Sequence, residues 1–208
     1  MKLSEILFYS GTFNPIHNAH IEIARNIKEK MNCKKVVFVP TYAPYHKTDD
    51  TKVTFNDKMN MVKLAIADYN DCEVSDVDKR ANSENSYSLN TVNLFLKEFF
   101  EENEFEPEVK LNFLLGADAF SNLDKWYKVN ELAEKVNFIV AARPSEENPG
   151  VIAYRIKKDV PHLMYYTFVE NYDISSSKIR QIIRENKSAD QYLNKNVLYY
   201  IKDNGLYA

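Results

Sequence analysis

The order of apolar runs along the chain constrains its fold more than any other feature. Short runs rich in β-branched or aromatic residues lie at residues 6–9, 36–40, 73–77, 111–115, 138–142 and 163–169. Several are continuous rather than alternating, which is typical of strands covered on both faces. Amphipathic helical patterns lie between them, at residues 18–31, 58–69 and 88–100. Because strands and helices alternate, we predict an α/β fold, a Rossmann-like doubly wound parallel sheet.

The last part of the chain has a different pattern. Two helical patterns, at residues 175–185 and 191–203, follow each other with no strand between them. We therefore predict a single domain of 208 residues, in which a Rossmann-like core (1–170) carries a small C-terminal helical subdomain (171–208). Two polar stretches that contain Pro or Gly are predicted to be exposed loops, at residues 101–108 and 145–150.

Composition excludes several classes of protein. The chain has 27 basic and 30 acidic side chains, a net charge of −3, so it is not a polycation built to bind nucleic acid. Its apolar runs fall far short of the ~18 residues that cross a bilayer, and its first residues lack the layout of a signal peptide. Cys33 and Cys72 form no pairing motif. We expect a cytoplasmic protein with no membrane partner, and the 14 Tyr and 12 Phe leave a homo-oligomer open.

One short segment, SGTFNPIHNAH at residues 10–20, carries most of the chemical information. It follows the first predicted strand and leads into the first predicted helix. His17 and His20 are three residues apart, so both imidazoles lie at one helix entrance. Ligands of open α/β sheets bind at this edge, where free N–H groups of a helix N-terminus attract anions. Gly11, one of only four glycines, permits close approach of a ligand. The corner is predicted to bind phosphate.

Neither of the common glycine-rich phosphate loops is present. The chain contains no G-x-x-x-x-G-K-[ST] and no G-x-G-x-x-G, so phosphate binding must depend on histidines and lysines. The alternative is structural: Asn14 and Pro15 form an ordinary turn, and one histidine is buried and hydrogen-bonded. A lone histidine favours that alternative, whereas a pair at a strand-to-helix corner favours ligand binding.

Six blocks in a fixed order resemble a known family. Segment 10–20 is similar to the H-x-G-H signature of the nucleotidyltransferase superfamily, and to the G-G-T-F-D-P-I-H-x-G-H of bacterial nicotinate-nucleotide adenylyltransferases. The other blocks resemble P-x-x-x-P-P-H-K, S-Y-T-x-x-T, G-x-D with W-Y, R-P and I-S-S-T-x-I-R, at residues 40–47, 86–91, 116–127, 143–144 and 174–180. The end of the chain, 197–207, matches as well. Since the blocks span nearly the whole chain, it is identified as a member of this family.

Five positions depart from the family pattern. Ser10 and Ala19 stand where the family has glycine, Asn14 replaces aspartate, Ser177 replaces threonine, and Lys58 replaces a frequent arginine. The methyl group of Ala19 is the change that could crowd a nucleotide. The other four keep polarity or a hydroxyl, so the expected activity stands.

The resemblance implies a nucleotidyltransferase of NAD biosynthesis. Such an enzyme joins ATP and nicotinate mononucleotide to give nicotinate adenine dinucleotide and pyrophosphate. The attacking phosphate is already ionised, so no general base is needed, and catalysis consists of alignment and charge neutralisation. Mg²⁺ is expected to be carried on the ATP phosphates with no metal ligand from the protein, because no carboxylate cluster suits it.

The resemblance also assigns residues to the two substrates. His17 and His20 are the catalytic pair, with His20 as the principal donor to the transition state. The residues assigned to ATP are Gly11, Thr12, Phe13, His17, His20, Gly116, Asp118, Ile174, Ser175, Ser176, Lys178 and Arg180. The residues assigned to the acceptor are His46, Lys47, Ser88, Thr91, Trp126, Tyr127 and Arg143. Considered alone, the two lysines Lys47 and Lys178 are more typical of a solvated surface. Trp126, the sole tryptophan, could pack in the core instead of stacking on a pyridine ring.

Two rival functions stay open. A related transferase could use another phosphorylated acceptor, such as nicotinamide mononucleotide or phosphopantetheine, or CTP, although such enzymes are usually shorter and are not expected to carry the Trp126 block. A nucleotide-sensing module would keep the pocket without catalysis. The complete set of His17, His20, Lys47 and Arg180 argues against the sensor.

Overall fold

Six parallel strands form one sheet at the centre of the molecule. The computed structural model describes residues 1–43, 52–82, 84–103, 109–144, 147–169 and 174–208. The strands are β1 (Ile6–Gly11), β2 (Lys35–Pro40), β3 (Cys72–Val74), β4 (Leu111–Gly116), β5 (Val136–Ala142) and β6 (Tyr165–Val169). They lie in the order β3-β2-β1-β4-β5-β6, with every neighbouring pair parallel. The predicted Rossmann-like doubly wound sheet is confirmed.

Helices cover both faces of this sheet. They are α1 (Asn18–Lys30), α2 (Phe55–Ile66), α3 (Val77–Ala81), α4 (Ser88–Glu102), α5 (Ala117–Phe120), α6 (Val129–Lys135), α7 (Pro149–Ile156), α8 (Ser176–Arg184) and α9 (Lys195–Asp203). Side chains of a strand alternate between faces. Phe8 therefore joins the apolar cluster under α4, α6 and α7, while Leu7 and Tyr9 join the one under α1, α2, α8 and α9. No helix within these described ranges is long and apolar enough to cross a membrane.

Several element boundaries differ from the prediction. The strand expected over 73–77 ends at Val74, because Val77 begins α3 and is buried by helix packing. The loop expected over 145–150 contains the start of α7, where the Asn148 side chain accepts the Gly150 N–H and Pro149 occupies the first turn. The last helix begins at Lys195, where the Asn194 side chain caps it. Helices α3, α5 and α6 have seven residues or fewer, too few for a helical period to be recognised.

The C-terminal helices pack on the same face as α1 and α2. The Tyr200 hydroxyl of α9 donates to Asp57 Oδ1 of α2 at 2.8 Å. Tyr207, close to the end of the chain, is buried and donates its hydroxyl hydrogen to the Asn14 side chain. The end of the chain is thus held against α2 and the loop between β1 and α1. The division into a core and a C-terminal subdomain stays a prediction.

Candidate active site

A cleft of about 1410 Å³ opens at the carboxyl ends of β1, β4 and β5. The sheet order reverses here, since the chain runs from β1 to β2 on one side and later returns to β4 on the other. Ligands of open α/β folds bind at such switch points. Fifteen of the predicted site residues line the cleft: Gly11, Thr12, Phe13, His17, His20, Ser88, Gly116, Asp118, Trp126, Tyr127, Arg143, Ile174, Ser175, Ser176 and Arg180.

The two histidines of the corner are stacked on each other. Their ring centroids lie 3.7 Å apart with an interplanar angle of 29°. The backbone N–H of His17 donates to Nδ1 of His20 at 3.2 Å. A neutral imidazole has one donor and one acceptor nitrogen, so Nε2 of His20 carries the proton. His20 therefore offers an N–H donor in the cleft.

Burial keeps both imidazoles uncharged at neutral pH. Desolvation, assisted by the positive charge of Arg143, lowers the pKa of His17 to about 4. Desolvation also holds the pKa of His20 well below its ordinary value, with further contributions from His17 and Arg143. Among the described residues, Nδ1 of His17 is a buried polar atom without a hydrogen-bond partner. A neutral N–H donor that is partly shielded from water interacts more strongly with an anion than a fully exposed donor does, because less water screens the interaction.

An aromatic scaffold holds the His20 ring. Phe13 packs edge-on to His20 at 5.2 Å between centroids, and Tyr9 lies 6.1 Å away. Phe13 has a φ of 46°, the left-handed region, which turns its ring back over Gly11. A Cβ on Gly11 would lie 2.9 Å from the Phe13 ring, so any larger residue there would force that ring to move. Gly11 therefore serves the packing of the histidine scaffold as well as the approach of a ligand.

Asp118 marks the end of β4 in the cleft. Its carboxylate folds back over Gly116, where a Cβ would lie 2.7 Å from Oδ1. The charge of Asp118 adds to burial in raising the pKa of Tyr9. Among the described residues that line the cleft, Asp118 is the only acid, whereas Arg143, Arg180 and Lys125 are bases. The cleft therefore attracts anions and retains one acceptor suited to a hydroxyl.

The N-terminus of α8 lies against the loop between β1 and α1, although about 160 residues separate them in sequence. Arg180 donates to the Asn14 carbonyl at 2.8 Å, and Ser176 Oγ donates to the Pro15 carbonyl at 2.9 Å. Ser175 caps α8 by accepting the Lys178 N–H. The structure thus brings a guanidinium and two helix N-termini, those of α1 and α8, to one side of the cleft.

Aromatic residues and the N-terminus of α4 form the opposite side. The ring centroids of Tyr87 and Tyr127 lie 4.6 Å apart. Half-buried Trp126 packs edge-on to Phe113, with 6.3 Å between their ring centroids. Tyr87 precedes α4 without a side-chain cap among the described residues, so N–H groups at the start of this helix are available to an anion. This side combines a flat apolar surface with an anion-seeking helix end.

Four predicted site residues are not in the cleft-lining set of the described residues. Thr91 is 1% exposed, and its hydroxyl donates to Asp78. Lys178 is exposed on α8. His46 and Lys47 lie outside the described residues.

The cleft also contains residues that the sequence analysis missed. Tyr9, Lys125, Ser86 and Tyr87 line it, together with Asn14. Their positions give a sequence signal, because Tyr9 ends the first strand run and Lys125 precedes Trp126. Ser86 and Tyr87 open the block that also contains Ser88 and Thr91. Ala19, the departure that could crowd a ligand, also lines the cleft but is only 3% exposed.

The fold and the cleft define a nucleotidyltransferase of the cytidylyltransferase-like class, whose family model matches residues 8–182. The chain is 35% identical to a probable nicotinate-nucleotide adenylyltransferase of Caldicellulosiruptor saccharolyticus, which covers 98% of both chains. It is 36% identical to one of Clostridium botulinum strain Okra, covering 95% of this chain and 96% of that one. The chain belongs to the nicotinate-nucleotide adenylyltransferase family.

A solved structure shows the same fold. The Plasmodium falciparum nicotinic acid mononucleotide adenylyltransferase, complexed with NaAD, has a TM-score of 0.75. It is 21% identical, and the match covers 97% of this chain and 96% of that one. The family membership predicted from the six blocks is confirmed by the family model and by the two bacterial relatives.

Proposed function

We propose that this chain transfers the adenylyl group of ATP to nicotinate mononucleotide, giving nicotinate adenine dinucleotide and pyrophosphate in NAD biosynthesis. The observation that carries the proposal is the convergence of two neutral imidazoles and two guanidinium groups on one cleft. Two anionic substrates must meet there, and the family relatives are named for a nicotinate nucleotide. The charge of the cleft and the identity of its relatives therefore support the same reaction.

The histidine side is proposed to hold the triphosphate. His20 donates from Nε2 to a phosphate oxygen, and this bond strengthens as charge develops on the α-phosphate and on the leaving pyrophosphate. Arg180 and the N-termini of α1 and α8 neutralise the remaining charge. The attacking mononucleotide phosphate is already an anion, so the protein aligns it for in-line attack and needs no base. Asp118 suits a ribose hydroxyl.

The opposite side is proposed to hold the acceptor. Trp126 and Tyr127 present aromatic surface to the pyridine ring, and N–H groups at the start of α4 favour a carboxylate over an amide. Arg143 lines the cleft, and its positive charge contributes to lowering the pKa of both His17 and His20. We assign it to the mononucleotide phosphate, next to the reacting centre.

Magnesium is proposed to enter the cleft together with ATP. Within the described ranges, no three His, Cys, Asp or Glu side chains come together as a metal site. Because the cleft offers donors and cations, we propose that Mg²⁺ is bound by the triphosphate oxygens, where it neutralises their charge. We also propose that the enzyme acts in the cytoplasm, and a homo-oligomer stays a prediction.

Pyrophosphate release tests the proposal and its rivals together. We expect release from ATP with nicotinate mononucleotide, and a much lower kcat/KM with nicotinamide mononucleotide or phosphopantetheine. Preference for another acceptor, or for CTP over ATP, would identify a related transferase. ATP binding without turnover on any acceptor would identify a nucleotide sensor and overturn the proposal.

A further inference from the structure

A buried carboxylate lies behind the acceptor side of the cleft. Asp78, in α3, is only 3% exposed. Burial of a charged group is unfavourable unless hydrogen bonds replace its water. Within the described residues, Asp78 forms no ion pair, and its charge is balanced there by hydrogen-bond donors. Packing alone does not explain a buried carboxylate that is surrounded by hydrogen-bond donors.

The two oxygens of Asp78 hold different parts of the structure. Oδ2 accepts the backbone N–H of Tyr42 at 2.7 Å and the hydroxyl of Ser86. Oδ1 accepts the Thr91 hydroxyl and, at 3.3 Å, the side-chain amide of Asn82. The carboxylate therefore joins the segment after β2 and the segment before α4 to the first turn of α4.

Hydrogen bonds carry this arrangement to the cleft wall. The Asn82 side-chain oxygen accepts the backbone N–H of Tyr87 at 3.1 Å, which fixes the residue preceding α4. The Ser86 hydroxyl accepts the Ala43 N–H, and the Ser86 N–H donates to the Ala43 carbonyl, both at 2.9 Å. Ser86, Tyr87 and Ser88 all line the cleft. The buried carboxylate thus holds Ser86 directly and Tyr87 through Asn82, and Ser88 follows them as the first residue of α4.

We infer that Asp78 is a positioning residue for the acceptor: it holds the 86–88 wall and the N-terminus of α4 in place without touching substrate. The inference rests on the proposed function for the identity of the acceptor. The carboxylate of Asp78 is needed because four donors point at its two oxygens, whereas an amide has only one acceptor oxygen. In Asp78→Asn, the new NH₂ group faces N–H or O–H donors and cannot accept from them. The lost hydrogen bonds displace one of the segments that Asp78 holds.

The test compares the two Michaelis constants in Asp78→Asn. We expect the KM for nicotinate mononucleotide to rise at least tenfold, while the KM for ATP stays within twofold of the wild type. Partial unfolding lowers kcat but leaves KM unchanged, so a merely structural role would not give this split. Asp76→Asn is the matched control, because Asp76 lies two residues away, is exposed and pairs with Arg80. It should change neither constant.

Thr91 provides a second route if Asp78→Asn does not fold. Thr91→Val removes the hydroxyl that donates to Asp78 and should raise the acceptor KM, whereas Thr91→Ser keeps the hydroxyl and should recover most of the lost affinity. Calorimetric titration with nicotinate mononucleotide compares the same variants without turnover. A failure of the positioning inference can therefore be distinguished from a failure of the proposed reaction. An acceptor affinity within twofold of wild type in the folded variants, or an equal loss for ATP, would overturn the inference.

Discussion

The two sides of the cleft are built by different physical means. On the histidine side, aromatic rings pack around His20, and burial keeps the imidazoles neutral. On the acceptor side, hydrogen bonds around Asp78 hold the 86–88 wall, and the Tyr127 ring next to Tyr87 is 46% exposed. On the proposed assignment, the phosphates meet a side built mainly by aromatic packing, whereas the acceptor meets a more exposed side held by polar contacts. Each side can therefore be disturbed separately.

The largest expected effect lies on the histidine side. His20→Ala removes the Nε2–H donor, and loss of one such donor typically lowers kcat by about 10²–10³. The KM for nicotinate mononucleotide should change little, because the bond gains strength only as charge develops. Steady-state pyrophosphate release measures both constants. His162→Ala is the matched control, since His162 is exposed. An unchanged kcat in His20→Ala would remove His20 from the mechanism.

Burial of His17 should make stability depend on pH. Its pKa is lowered to about 4 in the folded protein, against an unfolded value near 6.5. The unfolded chain therefore binds more protons below pH 6.5, so this contribution is complete above pH 6.5 and is lost as pH falls towards 4. The loss is roughly 3 kcal/mol at pH 4.

Denaturant unfolding at pH 7 and pH 4 measures this loss. His17→Gln should reduce the difference in unfolding free energy between the two pH values by roughly that amount, and His162→Gln, at an exposed position, should not. If the free energy of unfolding had the same pH dependence in the wild type and in His17→Gln, burial would not lower the pKa of His17 in the folded protein.

A smaller effect is expected on the acceptor side. Trp126→Ala removes the stacking surface, and aromatic pairs contribute about 0.5–1.5 kcal/mol. The KM for nicotinate mononucleotide should rise roughly threefold to tenfold, with little change for ATP. Tyr154→Ala, on α7, is the control, because Tyr154 is 88% exposed. If the KM for ATP rose instead, Trp126 would belong to the other side of the cleft.

The smallest effect concerns the end of the chain. Tyr207→Phe removes the hydroxyl that donates to Asn14, and a single hydrogen bond contributes about 1 kcal/mol. The free energy of unfolding should fall by about that amount. Tyr199→Phe is the control, since Tyr199 is 59% exposed on α9. Equal stability of the two variants would mean that the hydroxyl does not hold the loop between β1 and α1.

The same contrast separates what the sequence could predict from what it could not. The histidine side is formed by residues that are close together in sequence. His17 and His20 are three residues apart and follow a continuous apolar run, so the sequence alone predicts both the strand and the histidine pair. The sheet was predictable as well, because its strands are short apolar runs and its long helices have a clear helical period. Short helices such as α3 and α5 have none and were missed.

Ser88, Trp126 and Tyr127 on the acceptor side were predicted from their blocks, but the hydrogen bonds behind them could not be, because they join residues that are separated in sequence. Asp78 gains its role from Tyr42, Ser86 and Thr91, which only the folded chain brings together. A lone Asp in a charged stretch gives no signal, since most carboxylates are solvated. Thr91 was assigned to the acceptor from its block, although its hydroxyl is bonded to Asp78 rather than open to the cleft.

One binding measurement tests the central claim, that residues from the two ends of the chain hold one oligophosphate. Arg180 contacts the Asn14 carbonyl next to the histidines, whereas Arg184 is exposed one turn further along α8. In calorimetric titration with a non-hydrolysable ATP analogue, Arg180→Ala should bind at least about tenfold more weakly than the wild type, which is the size of a lost charged hydrogen bond. Arg184→Ala should bind the analogue with unchanged affinity. Equal affinities of wild type and both variants would contradict the account.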